Sequence, residues 1–200
     1  MWNEKEMFDY LKKNLKESRL KHSISVSETA IELATIYGQN IEKARIAGLV
    51  HDCAKNLTDE QLIKVATEHK IEIDEVSKQS PQIIHGLVGS IIARDIMEIY
   101  DEDILNSIKY HTTGRKNMSI LEKIIFISDY IEPLRKFNGI EEERSLEDIR
   151  SLSRVNLDDA VIMSLENTIK YVISQKQLLH IDTIDARNYL LSKNGRRKDE

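Results

Sequence analysis

Residues 41–54, with the sequence IEKARIAGLVHDCA, decide the fold more than any other stretch of this chain. Small residues recur along it three or four positions apart: Ala44, Ala47 and Gly48. This spacing predicts one face of an α-helix that ends at the adjacent pair His51 and Asp52. Because the face carries small side chains, we expect the backbone of a neighbouring helix to approach it closely. The same contact would then bury an imidazole and a carboxylate.

The rest of the chain also predicts helices. Seven glycines and two prolines interrupt 200 residues, and no alternating strand pattern with hairpin signals appears. We therefore predict an all-α fold, a single compact helical bundle. The expected domain covers 1–194, with the motif-bearing core at 19–135, C-terminal helices at 145–192 and a frayed tail at 195–200.

Local signals place the individual helices. We expect a first helix from Asn3 to Ser18 and a second, carrying His22, that stops at Gly38. Capping boxes at Thr58 with Gln61 and at Ser119 with Glu122 each predict a helix start. Further helices are expected to begin at Pro81 and to end at His111, and the helix that starts at Ser119 should end at Pro133. A solvated loop through Glu143 follows. The last expected helices are a short one from Ser145 and two longer ones at 157–177 and 182–192.

Composition excludes several classes of function. The net charge is −5, so no global positive field attracts long nucleic acids, and any phosphate site must be made by local groups. This charge does not exclude a small anionic substrate. The single cysteine excludes an internal disulfide framework. The charged N-terminal residues do not resemble a signal peptide, and no apolar run reaches the ~20 residues of a membrane span. We expect a cytoplasmic protein with no membrane role.

Four further polar residues share helix faces with apolar positions: His22, His85, His111 and Asp129. A single histidine in such a place is more often a hydrogen-bonded core residue than a ligand. A carboxylate beside Leu121 and Ile125, however, must be paired, metal-bound or neutralised. Together with His51 and Asp52, these residues favour a site for one divalent metal ion, because imidazole and carboxylate suit such ions.

With these residues the sequence resembles the HD-domain superfamily of metal-dependent phosphohydrolases. More narrowly it is similar to the YqeK family, the HD-type symmetrical diadenosine tetraphosphate hydrolases of bacteria. The resembling segments are Arg19 to His22, His51 to Lys55, His85 to Gly89, His111 to Gly114 and Ser128 to Arg135. The C-terminal third carries no matching motif, and His69 and His180 lie outside the pattern.

The resemblance implies a metal site and a set of catalytic residues. His22, His51, Asp52 and Asp129 would hold one metal ion, which is iron in this family. His85 and His111 would either complete a second metal site or contact phosphate. The ligand types alone also suit manganese. The residues expected to act in catalysis are His51, Asp52, Lys55, His85 and His111.

Substrate contacts are expected from Lys55, His85, His111, Thr112, Thr113, Gly114 and Arg135. Lys55 is placed to neutralise a phosphate, although it is equally explained as a lysine at a helix end. Thr112 to Gly114 offer hydroxyl and amide donors, or form an ordinary helix stop. Arg135 could bind a phosphate through two hydrogen bonds.

The function implied by the resemblance is the symmetrical cleavage of diadenosine tetraphosphate to two ADP, with a divalent metal that activates water. The alternatives are an HD-type phosphohydrolase of another nucleotide and a nucleotide-sensing module with little turnover. A homodimer through an apolar face of the first or last helices is also possible on this sequence.

Overall fold

The computed structural model describes residues 1–136 and 140–195, and within them every regular element is helical, which confirms the all-α prediction. The helices are α1 Glu4–Asn14, α2 Glu17–Ile36, α3 Ile41–Val50, α4 Asp59–Glu68, α5 Glu75–Gln79, α6 His85–Asp95, α7 Glu102–Tyr110, α8 Ile120–Ile131, α9 Ile140–Ser153, α10 Leu157–Ser174 and α11 Ile181–Gly195. A 3₁₀ helix, Pro81–Ile84, leads directly into α6.

Helices α2, α3, α7 and α8 form the centre of the bundle, where α2 and α8 both pack on α3. The small-residue face of α3 allows this packing. A Cβ atom added at Gly48 would lie 2.8 Å from the Cα of Ser27 on α2, closer than two such atoms can approach. The close approach brings His22 and His51 side by side, with 5.3 Å between their ring centroids.

Helices α6 and α7 meet through a second glycine. A Cβ atom at Gly86 would lie 2.8 Å from the carbonyl oxygens of both Ile108 and Lys109 on α7. This contact sets His85 beside His111, with ring centroids 4.8 Å apart. Helices α10 and α11 pack on each other, and α10 closes the bundle against α8 and α9.

Both predicted capping boxes are present. Thr58 accepts a hydrogen bond from the Gln61 amide, and Ser119 accepts one from the Glu122 amide, with the reciprocal side-chain bond in each case. Such caps stabilise a helix by about 1 kcal/mol each. The second box has a direct role in the site, because it sets the start of the helix that carries Asp129.

Several predicted boundaries were wrong. Helix α1 ends at Asn14, not Ser18, because Leu15 and Lys16 adopt extended backbone conformations that start a new helix. Short helix α5, capped by Asp74, was missed because five residues are too few to show a period. Helix α9 begins at Ile140 rather than Ser145, so the predicted loop is shorter. Most of the predicted tail, 196–200, lies outside the described residues.

In the part of the chain that the structure describes, no helix combines the length and the apolar character needed to cross a membrane.

Candidate metal centre

The six candidate ligands, spread over more than 100 residues of sequence, converge on one buried cluster. His22 lies on α2, His51 and Asp52 follow α3, His85 opens α6, His111 follows α7 and Asp129 lies on α8. Two subsets bring one ligand atom each within 4.8 Å of the others: His22, His51 and Asp129, and His51, Asp52 and His111.

Asp52 lies between two halves of this cluster. Its Oδ1 is 3.0 Å from Nε2 of His85 and 3.5 Å from Nε2 of His111. Its Oδ2 is 3.5 Å from Nε2 of His51 and 3.8 Å from Nε2 of His22. The two carboxylate oxygens therefore face different pairs of histidines.

Asp129 completes the half that contains His22 and His51. Its Oδ1 lies 3.0 Å from Nε2 of His22 and 3.9 Å from Nε2 of His51. The prediction that this carboxylate needs a partner is satisfied by an ion pair with Arg135, whose Nη2 lies 2.6 Å from the same oxygen.

The far side of each imidazole ring is held by a hydrogen-bond acceptor. The Nδ1 atoms of His51, His85 and His111 donate to the backbone carbonyls of Gly48, Gln82 and Ile108, and Nδ1 of His22 donates to the carboxylate of Glu132. Since a carbonyl only accepts, Nδ1 must carry the proton in the rings of His51, His85 and His111. The Nε2 atoms of all four histidines therefore point into the cluster.

The interior is consequently crowded with acceptors. Nε2 of His85 lies 3.0 Å from Nε2 of His111, and the buried Nε2 atoms of His22 and His51 have no hydrogen-bond partner within the described residues. Lone pairs and carboxylate oxygens this close repel each other unless cations lie between them. Imidazole nitrogens held by outer hydrogen bonds and mixed with carboxylates are a typical divalent-metal ligand set, and the residues fit such an ion.

Burial and charge set the protonation of these groups. Burial lowers the pKa of His51 from 6.5 to about 4, and it also lowers the pKa of His85. Burial alone would lower the pKa of His22 as well, but Asp129 and Glu132 raise it. Burial alone would raise the pKa of Asp52, yet the neighbouring histidines hold it well below its usual value. His51 and His85 are thus neutral at neutral pH.

A cleft of about 250 Å³ opens onto the cluster, and three cationic side chains line it: Arg19, Lys55 and Arg135. Arg19 donates to Oδ2 of Asp52 over 2.8 Å, and Nζ of Lys55 lies 3.5 Å from Nδ1 of His85. Burial lowers the pKa of Lys55. We name this space the cleft. Positive charge beside open space suits an anionic ligand.

Of the three predicted substrate residues that follow His111, only one lines the cleft. Thr112 lines the cleft, and its hydroxyl lies 3.2 Å from Nε2 of His111 and 3.3 Å from Nε2 of His85. The structure does not bring Thr113 or Gly114 into the cleft lining: the Thr113 hydroxyl donates to the Gly114 carbonyl, and a Cβ at Gly114 would lie 3.2 Å from Ala186. Of the histidines left out of the site, His69 pairs with Asp95 at the surface.

Sequence reasoning did not assign a role to Arg19. It lies three residues before His22 on α2, so the two side chains share a helix face, and this spacing was the available signal. Cys53, although adjacent to Asp52, is buried, and burial raises the pKa of its thiol to about 12. It therefore remains a protonated core residue.

The comparisons with known proteins agree with this geometry. The model of the HD domain family matches residues 19–134, a range that contains all six candidate ligands. A protein of Halalkalibacterium halodurans named symmetrical bis(5'-nucleosyl)-tetraphosphatase is 38% identical over 94% of this chain and 97% of its own length. A protein of the same name from Bacillus subtilis is 36% identical over 95% of this chain and 98% of its own length.

A solved structure extends the likeness to three dimensions. The crystal structure of a predicted HD superfamily hydrolase from Clostridium acetobutylicum, described as involved in NAD metabolism, superposes with a TM-score of 0.91. It is 49% identical in sequence and covers 96% of this chain and 99% of its own. The resemblance seen in the motifs is confirmed, and the chain belongs to the HD domain family, within the group that includes these bacterial relatives.

Proposed function

We propose that this protein hydrolyses diadenosine tetraphosphate symmetrically to two molecules of ADP, using a divalent metal centre. The observation that carries the proposal is the convergence of four histidine Nε2 atoms on Asp52 beside a cleft with three cations. The full-length relatives named symmetrical bis(5'-nucleosyl)-tetraphosphatase supply the choice of substrate.

The ligand arrangement supports two metal positions, and Asp52 would contribute to both. His22 and His51 lie near one oxygen of Asp52 and also near Asp129, whereas His85 and His111 lie near the other oxygen of Asp52. This division favours a metal role for His85 and His111, the option that the sequence left open beside phosphate contact. Iron is our proposal for the metal on the basis of the family resemblance, with manganese as the alternative. A bound divalent ion supplies an activated water and polarises a phosphoryl oxygen.

The protein's own cationic residues bind the substrate. Arg19, Lys55 and Arg135 surround the cleft and can each bind phosphate oxygens, with the planar guanidinium groups able to bind two at once. Arg19 and Arg135 now pair with Asp52 and Asp129. Metal binding would take over the negative charge of those carboxylates and leave both guanidinium groups available to phosphate.

The chemistry is a single hydrolytic displacement. The water oxygen bonds to a phosphorus next to the central bridging oxygen, and the bond from that phosphorus to the bridging oxygen breaks. The leaving group is ADP, and the attacked half, having gained the water oxygen, is also ADP. The hydroxyl of Thr112, next to two Nε2 atoms, is placed to position a phosphoryl oxygen or the water.

The test is to incubate purified, anaerobically iron-loaded protein with diadenosine tetraphosphate and to separate the products by anion-exchange chromatography. We expect ADP as the sole product. ATP together with AMP would show an asymmetric cut and contradict the proposal. Absence of turnover with metal bound would favour another nucleotide, identified with a substrate panel, or a nucleotide-sensing role.

A further inference from the structure

A second cavity of about 230 Å³, which we name the lateral pocket, lies next to the cleft. It is enclosed by the α4–α5 loop, the 3₁₀ helix, the end of α7 and the start of α11. Its apolar lining consists of Ile71, Ile73, Ile83, Ile84, Leu87 and Tyr110. The proposed hydrolysis mechanism uses none of these residues.

The cleft and the lateral pocket share a wall. At the end of α7, His111 and Thr112 line the cleft, whereas Tyr110 and Thr113 line the lateral pocket. At the start of α6, His85 lines the cleft and its neighbour Ile84 lines the pocket. Adjacent residues of the same two segments therefore line the two spaces, so the cleft and the lateral pocket are neighbours.

The two spaces differ in charge. The cleft contains three cations, Arg19, Lys55 and Arg135, against two carboxylates, Asp52 and Asp129. The lateral pocket contains one lysine, Lys109, against three carboxylates, Glu72, Asp74 and Asp182. A polyphosphate is therefore attracted to the cleft and repelled from the pocket. The pocket suits an uncharged group with apolar faces and hydrogen-bond donors, as in a nucleoside.

Of the three carboxylates in the pocket, Asp74 is occupied by hydrogen bonds that the protein already makes. Asp74 accepts from two backbone amides, from the Ser77 hydroxyl and from Nε2 of His180. Because Nδ1 of His180 accepts from the Asp182 backbone amide, it does not donate to the Asp182 carboxylate. Oδ2 of that carboxylate, in the first turn of α11, lies 3.7 Å from Nδ1 of His180, beyond hydrogen-bond distance, so it can accept a hydrogen bond from a ligand. Ionised carboxylates accept hydrogen bonds from hydroxyl groups, such as those of ribose.

We propose that the lateral pocket binds one nucleoside of the dinucleotide, with the base against the apolar wall and Asp182 accepting a hydrogen bond from the ribose. The inference rests on the proposed function and adds a binding site to it. The pocket volume is below the ~300–1,000 Å³ of sites for drug-sized ligands, so it holds one nucleoside and not the whole substrate. The tetraphosphate then lies in the cleft, with its central bridge at the metal centre.

The experiment compares a ligand that has nucleosides with one that has none. Asp182→Ala removes the acceptor, and Ile73→Trp fills the pocket. Each variant should raise KM for diadenosine tetraphosphate about tenfold, the loss expected for a hydrogen bond to a charged group or for a blocked apolar contact. The inhibition constant of inorganic tetraphosphate, which binds only in the cleft, should stay within about twofold.

Each of the two pocket variants has a control substitution at an exposed residue outside the pocket lining. Asp185→Ala changes an exposed carboxylate one turn further along α11, and Ile36→Trp changes an exposed isoleucine at the end of α2. Both should retain the KM of the unmodified protein. Thermal melting of all four variants checks that each remains folded.

Two outcomes overturn the inference: KM unchanged in both pocket variants, or an equal loss of affinity for inorganic tetraphosphate, which would show a general distortion. If the unmodified protein does not cleave diadenosine tetraphosphate, the proposed function fails separately. The dinucleotide is then a stable ligand, and its Kd from calorimetry replaces KM in the same comparison.

Discussion

The cleft and the lateral pocket share a wall but are lined by different kinds of residue. In the cleft, buried histidines and carboxylates are each oriented by an outer partner, as His22 is by Glu132. In the lateral pocket, three half-buried isoleucines, Ile71, Ile73 and Ile83, line the same space as the carboxylates. Reactive groups are costly to bury, so their positions stand out in a sequence, whereas a recognition pocket can be made from ordinary residues.

The substitution with the largest expected effect on the cleft is Asp52→Asn. The amide removes the negative charge that both halves of the cluster face, so metal content and kcat/KM should fall, the latter by up to about a thousandfold, the upper loss for a single electrostatic group. Elemental analysis and steady-state kinetics measure both effects. The melting temperature should also fall, because the neighbouring histidines and Arg19 stabilise this carboxylate in its charged form. Full metal content with normal kinetics would exclude Asp52 as a ligand.

Gly86→Ala changes the wall between the cleft and the lateral pocket, so it should affect both spaces. The new Cβ must displace α7 from the 2.8 Å contact with the Ile108 and Lys109 carbonyls and move His111 with it. Misplacement of about 1 Å can cost about a hundredfold in rate, and overpacking typically destabilises by about 1–3 kcal/mol. Kinetics and chemical denaturation measure these changes.

The control for this variant is Gly38→Ala. Gly38 has φ of +61° and no atom within 4 Å of an added Cβ, so this change is strained but lies away from the wall. It should cost stability without lowering kcat. Equal effects of the two substitutions on kcat would contradict a specific role for the wall.

Arg19→Ala tests whether the cleft cations bind substrate rather than support the metal. We expect KM for the nucleotide to rise about tenfold, the loss for one charge-assisted hydrogen bond. Metal content should be unchanged or higher, since Arg19 competes with a metal ion for Oδ2 of Asp52. Arg94→Ala, at a surface ion pair, is the control. A drop in metal content would instead assign Arg19 to the support of the metal centre.

The smallest expected effect belongs to the rim of the lateral pocket. Asp74→Ala removes the cap of α5 and the partner of His180, and should cost about 1 kcal/mol at pH 7. Burial alone would raise the pKa of Asp74, but hydrogen bonds from Ser77 and His180 lower it. The stabilisation is therefore present above the unfolded pKa of about 3.9 and is lost as the pH falls through the lower folded value.

Melting curves of the two proteins at pH 7 and pH 3 measure this effect. The difference in stability between them should be smaller at pH 3. A difference that grows on acidification would mean that Asp74 is not held in its charged form by these hydrogen bonds.

By itself, the sequence determined the helical class, the two capping boxes and the six candidate ligands, because periodic apolar faces, caps and buried ionisable groups are local patterns. His22, His85 and Asp129 were found because each lies on a face shared with apolar residues. The roles of the two oxygens of Asp52 could not be predicted, since they depend on how α2, α6, α7 and α8 approach α3.

Only the tertiary structure decided the cation set, the separation of Thr112 from Thr113 and the lateral pocket. The pocket joins the loop before α5 to the start of α11, more than 100 residues later, through contacts such as that between Asp74 and His180. Nothing local marks such partners, because each residue alone is an ordinary loop or rim residue. Local patterns follow from the chain's own geometry, whereas a cavity between distant segments follows only from how the packed helices bring them together.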